Sequence, residues 1–137
     1  MSVNLTEVRA ALAETLSEID GTITVYKDVP HTPVHLPCLI IYPPDTINYM
    51  AARDTDIVTL TVTLIVGPQD PTAVDTLEAI VSGTGALSVK AALYANRTLN
   101  GTVSNLRLLD MTSGTYSIAT NPNDNAIGAD FRVEITA

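Results

Sequence analysis

The stretch IVTLTVTLIV, residues 57–66, decides the class of fold. Its even-numbered positions are all aliphatic, whereas the odd-numbered positions 59, 61 and 63 are all threonine. Successive side chains of a β-strand point to opposite faces, so this alternation predicts a strand with one face in a hydrophobic core. The run has only about half of the ~20 residues that a membrane-spanning helix needs. The chain is therefore expected to fold around a sheet that contains this strand.

Upstream of this strand, the sequence predicts one helix and two further strands. The helix covers residues 5–19, where apolar positions recur at helical spacing after a capping Asn4, with Gly21 as its C-terminal cap. Ile23, Val25 and Val29 alternate with polar residues as in a strand. CLIIY, residues 38–42, is typical of a strand buried on both faces. Residues 43–56 are expected to form a long connection.

Downstream, Asp70 and Pro71 predict the start of a second helix, because Asp is a good cap and Pro fits the first turn. That helix is interrupted at 82–85 and resumes over 86–94, and Asn100 with Gly101 predicts a turn. Strands are predicted over 103–111, 115–120 and 127–136, with NPNDNA (121–126) as a hairpin turn. The order αβββαβββ indicates one α+β domain over residues 1–137, with helices on one face of a mainly antiparallel sheet.

The charge balance argues against a grip on nucleic acid or on an anionic membrane. Fifteen acidic residues stand against seven basic ones, giving a net charge of -8, and the basic residues are scattered singly. Phosphate binding needs clustered Lys and Arg. The N-terminus lacks the basic start and apolar run of a signal peptide, and one cysteine gives no internal disulfide. These features predict a soluble protein made in the cytosol.

Residues 25–45 (VYKDVPHTPVHLPCLIIYPPD) hold the metal-ligand side chains His31, His35 and Cys38, which raises the question of a zinc site. Pro33 and Pro37 forbid a helix that would present both histidines on one face, and Cys38 begins a buried strand. The prolines instead favour a stiff extended connection between two strands. The phosphate-binding loop and the Gly-x-Ser-x-Gly motif are also missing. We therefore predict no metal, no cofactor and no catalytic residues.

The order of these segments resembles the tail terminator, or tail-completion, proteins of long-tailed bacteriophages. The resemblance covers nearly the whole chain. It consists of the helix over 5–19, the VYKDVP strand, the PCLIIYPP strand, and the acidic entrance RDTD before the long alternating strand. A helix that opens with DPTAVDTLEAIV and a C-terminal β-hairpin complete it.

The resemblance implies structural work in a virion. Proteins of this family form a six-membered ring that caps the tail tube, stops its elongation and joins it to the head–tail connector. The implied partners are further copies of the chain, the tail tube protein, the connector or stopper protein, and genomic DNA that passes through the lumen without specific binding. The implied location is the tail or neck of a virion made in the bacterial cytoplasm, with no membrane partner.

Two segments are candidate protein–protein interfaces. Within 43–56, the large apolar side chains are followed by an arginine anchor, a combination that suits the centre of an interface, although they fit equally well folded back onto their own domain. Within 30–37, prolines lower the ordering cost of binding. The candidate residues are Ile47, Tyr49, Met50, Arg53, Pro30, His31, Pro33 and His35.

Other functions remain open from the sequence. A different head–tail connector or neck protein, or a tail tube subunit, would have a similar composition. A small cytosolic ligand-binding domain or enzyme is the alternative from another class, and an adaptor that forms no ring is a further one.

Overall fold

The structure, a computed structural model, describes residues 4–19, 23–27, 37–52, 55–68, 71–85, 87–118 and 121–136. It contains three helices and six strands within these ranges. In chain order they are α1 (Leu5–Ser17), β1 (Thr24–Tyr26), β2 (Cys38–Ile41), β3 (Thr46–Ala52), β4 (Thr55–Pro68), α2 (Pro71–Val81), α3 (Val89–Ala95), β5 (Asn105–Ile118) and β6 (Asn121–Thr136). The predicted α+β class is confirmed.

All six strands join one sheet around β4. The order is β1-β2-β4-β6-β5, and β3 pairs with the same edge of β4 as β2 does. β1 is parallel to β2, and every other pair is antiparallel. β4 is the strand predicted from the alternating stretch. Its even-numbered side chains from position 58 to 66 are buried, because they face the core.

The helices pack on one face of this sheet. α1 packs against β1 and α3, α2 lies over β4 and β6, and α3 lies over β5. The buried side chains of the helices and those of β4 and β6 form one hydrophobic cluster, with Phe131 of β6 as its largest member. β2 is buried on both faces, as predicted: Leu39 and Ile41 belong to that cluster, whereas Cys38 and Ile40 are buried on the other face of the sheet.

The prediction that residues 43–56 form a long connection is wrong. β3 occupies 46–52 and pairs antiparallel with β4, so that Thr46 lies opposite Thr59 and Ala52 opposite Thr55. The segment TINYMAA carries no charge and is rich in β-forming residues. Pro43 and Pro44 separate it from β2 and shift the register, which is why the sequence suggested a connection.

The predicted order of strands near the C-terminus is also wrong. β5 runs without a break through 105–118, where two strands were expected, and β6 includes 121–126, where a turn was expected. Gly114 does not interrupt β5, because it lies directly opposite Gly128 of β6 in the ladder. Within the Asn-rich segment 121–126, the residues at 121, 125 and 126 pair with β5, with a register irregularity between the first two. The observed order is αββββααββ.

The helix boundaries follow their capping residues. The Asn4 side chain accepts a hydrogen bond from the Glu7 N–H at 3.2 Å, as predicted for the start of α1. Ser88 caps α3 in the same way through the Ala91 N–H at 3.1 Å. The predicted caps Gly21 and Asp70 lie outside the described residues. Gly101, with a φ of +88°, completes the predicted turn between α3 and β5.

Candidate protein–protein interface

Of the eight predicted interface residues, the structure describes the side chains of two, and both of these lie on β3. Tyr49 of β3 is 71% exposed, whereas Ile47 of the same strand is partly buried against the hydrophobic core. The side chain of Met50 and the whole of Arg53 lie outside the described part of the chain. So do the four candidates from the proline-rich segment, namely Pro30, His31, Pro33 and His35. Tyr49 is thus the candidate whose side chain is seen to be available for contact.

β3 forms an outer edge of the sheet. The chain from β2 to β3 follows one edge of β4, and between the two strands Tyr42 N–H donates to the Thr61 carbonyl at 3.1 Å and Asp45 N–H to the Thr59 carbonyl at 2.8 Å. No strand in the described ranges pairs with the far side of β3. An exposed strand edge presents unpaired N–H and C=O groups to any strand that approaches it.

β5 is the outer strand at the opposite side of the sheet. At its start, two side chains of the α3 region bond its outward backbone groups. The Tyr94 hydroxyl accepts from the Leu108 N–H at 3.3 Å, and Arg97 Nε donates to the Leu106 carbonyl at 3.3 Å. The Arg97 guanidinium also lies 4.9 Å from the centre of the Tyr94 ring, within the range of a cation–π contact.

Beyond Asp110, β5 has an uncharged outer edge. Residues 111–118 contain neither charge nor proline, and residues 111–114 are exposed on both faces of the strand. Met111 faces the helical side of the sheet opposite Phe131 and is 38% exposed. No described strand pairs with this part of the edge.

The β5–β6 hairpin extends past the rest of the sheet. β4 pairs with β6 as far as Pro68 and Ala126, whereas β5 and β6 continue to pair as far as Ile118 and Asn121. Beyond that level Ser117 lies opposite Asn125 and Ile118 opposite Asn121, with a register irregularity between the two pairs. β5 therefore extends past β4 by two residues, a length of about 7 Å at a strand's rise per residue. A two-stranded arm of this kind has little core of its own and is suited to contact another surface.

Away from buried Cys38 and Ile40, the face of the sheet opposite the helices carries several polar and charged side chains. Two hydroxyl–carboxylate bonds of 2.7 Å join Thr61 to Asp45 and Thr63 to Asp130. Further along the same face, Arg107 pairs with Glu134 at 3.3 Å and Arg132 with Asp110 at 3.5 Å. Glu134 is 26% exposed, and the other three side chains are more than half exposed. Exposed pairs of this kind contribute little stability.

The environment of Cys38 is that of an inert buried thiol. Burial raises the pKa of Cys38 to about 11, and a hydrogen bond with the backbone of Ile65 opposes that rise. Burial also raises the pKa of neighbouring Tyr42, with the charges of Asp130 and Cys38 acting in the same direction. A thiol with a high pKa is a poor nucleophile and a poor metal ligand. Across the described ranges, no three His, Cys, Asp or Glu side chains come together as a metal site would require.

A groove of about 540 Å³ lies between the C-terminal end of α1 and α3. Its wall on α3 is made of small side chains, Ala91, Ala92 and Ala95, and its wall on α1 includes Thr15 and Glu18. Asn96 ties the two helices together, because its Nδ2 donates to Thr15 Oγ1 at 3.1 Å. The groove is open and holds no concentration of titratable groups among its described lining residues.

Sequence reasoning missed both sheet edges and the arm. The signal for β3 was present in TINY, where β-forming residues follow one another without charge. The two prolines before it concealed that signal. The length of the arm had no local signal, because it depends on where β4 ends relative to its neighbour.

Within the part of the chain that is described, no helix is long and apolar enough to cross a membrane.

Comparisons with known proteins do not assign a family. No protein-family model matches the chain, and no curated protein matches it. Among solved structures, the chain is similar to one from a structure titled "Virion of native gene transfer agent (GTA) particle". The two chains are 15% identical, the match covers 95% of each, and the TM-score is 0.48.

Proposed function

We propose that this protein is a structural subunit of a phage tail, which assembles into a ring of six copies at the end of the tail tube. The ring stops elongation of the tube and joins it to the head–tail connector, with genomic DNA passing through the lumen. The observation that carries the proposal is the pair of open strand edges, β3 and the second half of β5, at opposite sides of one sheet. Copies that each offer two different edges associate head to tail, and such a contact closes into a ring when its rotation permits.

The surface chemistry supports a passage for DNA without a grip on it. The net charge is -8, and two of the seven basic residues, Arg107 and Arg132, are paired with carboxylates on the open face of the sheet. DNA is a polyanion, so a lumen lined by an acidic subunit repels it from the wall and leaves it free to slide.

The projecting β5–β6 arm and exposed Tyr49 supply the contacts to unlike partners. A ring that uses its strand edges between copies still needs a surface toward the tube and another toward the connector. The arm extends about 7 Å beyond β4, and the Tyr49 side chain on β3 is 71% exposed, so both present surface to a partner. Aromatic side chains of this kind are frequent anchors at interfaces.

Purified tail tubes test this function directly. Labelled protein is mixed with tubes, and its position is mapped by electron microscopy. We expect one density at tube ends and an arrest of further elongation by added tube protein. Tyr49→Asp should weaken end binding, because a charge replaces an exposed aromatic ring. Thr72→Asp, at an exposed position of α2, is the matched control and should bind like the unaltered chain. Binding along the sides of tubes, or no binding, would refute the proposal.

A connector or neck protein, and a tail tube subunit, are separated by the same experiment. A connector would bind the portal side and leave tube growth unaffected. A tube subunit would add repeatedly and lengthen the tube instead of ending it.

A ligand-binding domain is the second candidate, and the groove between α1 and α3 is the observation that favours it. Its volume of about 540 Å³ falls within the range of small-molecule sites. A thermal-shift screen of metabolites tests it. A ligand that raises the melting temperature of the unaltered chain, but not of Ala92→Phe, would place that ligand in the groove.

A further inference from the structure

We propose that the open half of β5, residues 111–118, adds as an antiparallel strand to β3 of a second copy, so that the sheets of neighbouring subunits become continuous. This inference rests on the proposed ring and deepens it, since it names the two edges that meet and the direction in which they run.

The first step is the contrast between covered and open edges. The start of β5 is covered by Tyr94 and Arg97, which bond the outward N–H of Leu108 and the outward carbonyl of Leu106. At the short edge strand β1, Arg9 of α1 donates to the Lys27 carbonyl. Natural sheets cover or charge edges that must not pair. Neither β3 nor residues 111–118 of β5 contain a charge or a proline, and no strand in the described ranges pairs with either edge.

The second step is the direction of the backbone groups on β5. Leu106 and Leu108 turn their N–H and C=O away from β6, since those groups bond to Arg97 and Tyr94. These groups alternate from one side of a strand to the other, and the bulge between Leu108 and Asp110 shifts the alternation by one. Met111 and Ser113 therefore also turn their backbone N–H and C=O groups outward. On that side of β5 no described strand pairs with them.

The third step is the same assignment on β3. Thr59 and Thr61 of β4 direct their carbonyls toward the β2–β3 side, as the bonds from Asp45 and Tyr42 show. Asn48 lies opposite Ile57 in that ladder and so faces β4 with its backbone groups. The backbone groups of Ile47, one residue earlier, face outward. Both edges thus present alternate outward residues to a partner.

The fourth step fixes the direction of pairing. β3, β4, β6 and β5 are each antiparallel to the next, so β3 and β5 of one copy run in opposite directions. Rotation about a ring axis leaves the sense of each strand along that axis unchanged. When copies stand side by side, β5 of one copy therefore meets β3 of the next as an antiparallel neighbour.

A second copy is the occupant that the composition favours. The chain carries a net charge of -8, so most contacts between copies involve repulsion. β3 and the open half of β5 are seven and eight residues long and both are uncharged, which makes them matched in length and free of that repulsion.

Disulfide trapping tests the junction. At an antiparallel junction, residues whose backbone groups face away from the new partner form the closer side-chain pairs. Asn48 is such a residue on β3, and on β5 the even-numbered positions of 110–116 are such residues. Asn48→Cys is combined in turn with a cysteine at each position from 110 to 116. We expect intermolecular cross-links with one even-numbered position, at least tenfold above those with its odd-numbered neighbours.

The controls separate this arrangement from others. The unaltered chain, whose Cys38 is buried, and Asn48→Cys alone should give no cross-link. Arg107→Cys with Asn48→Cys lies in the covered part of β5 and should give none. Cross-linking by Thr112→Cys alone would mean that β5 pairs with β5, and this result would overturn the proposal. The absence of a cross-link at every position from 110 to 116 would also overturn it.

A second pair of variants keeps the test independent of cysteine chemistry. Ser113→Pro removes an outward N–H without touching the β6 ladder, and Ser113→Ala keeps that N–H. We expect Ser113→Pro to raise the concentration for half-assembly about tenfold and Ser113→Ala to leave it within twofold. Equal assembly of the two would overturn the junction. Rings that form without the expected cross-link would refute the β5–β3 junction but not the proposed ring. The absence of rings and of binding to tube ends would refute both the junction and the proposed function.

Discussion

Replacement of Tyr94 by phenylalanine should expose how the covered part of β5 is held. Tyr94→Phe keeps the aromatic ring between Lys90, at 5.7 Å, and Arg97, at 4.9 Å, and removes only the hydroxyl that accepts from the Leu108 N–H at 3.3 Å. The bond is a neutral one and rather long, so its loss should lower the free energy of unfolding by about 0.5–1 kcal/mol. For a chain of this length, that corresponds to a fall in melting temperature of roughly 2–4 °C.

Two assays measure this effect. Urea denaturation gives the change in stability, and hydrogen exchange resolved to single residues reports the Leu108 amide. Because that N–H points away from β6, it loses its partner in Tyr94→Phe and should exchange roughly tenfold faster or more. The matched control is Tyr49→Phe, whose ring is 71% exposed, and surface changes of this kind stay within about 0.5 kcal/mol. Unchanged stability together with unchanged exchange at Leu108 would refute the claim that Tyr94 covers the edge.

Three other predictions concern the interior and the helix caps. Thr63→Val removes the hydroxyl that donates to Asp130 at 2.7 Å while keeping the volume, and it should cost about 1–3 kcal/mol in urea denaturation; no loss would mean that the bond is exchanged for water at no net gain. Cys38 has a pKa raised to about 11 by burial, so its neutral form favours the fold below pH 9.0, and this contribution is lost as the pH rises through 11. Stability should therefore fall between those values by roughly 2–3 kcal/mol more than in Cys38→Ala, and parallel curves would contradict the assignment. Ser88→Ala should cost about 1–2 kcal/mol by thermal denaturation, more than Asn4→Ala, because buried Ser88 both caps α3 and donates to Ser82; equal losses would indicate that only the cap matters.

Elements with a strong local pattern were predictable. β4 followed from its alternation, α1 and α2 from apolar spacing and end signals, and the burial of β2 from its unbroken apolar run. Each of these signals is contained within the element itself. The α+β class followed from their order.

The errors arose where partners decide the structure. Residues 46–52 form a strand because they pair with an edge of β4, although two prolines precede them. The segment 121–126 has the composition of a turn, and its pairing with β5 overrides that preference. The candidate interface stays a prediction. The partial burial of Ile47 could not be read from sequence, because its register with Val58 decides which face it takes.

The central claim is that copies of this chain close into a ring through two different edges. Native mass spectrometry over a wide concentration range, with negative-stain images of the same samples and of samples mixed with tail tubes, tests it most directly. We predict a six-fold species with a central hole, either free or at tube ends, and its loss in Ser113→Pro but not in Ser113→Ala. A monomer or two-fold dimer at every concentration, with no ring at tube ends, would contradict the account.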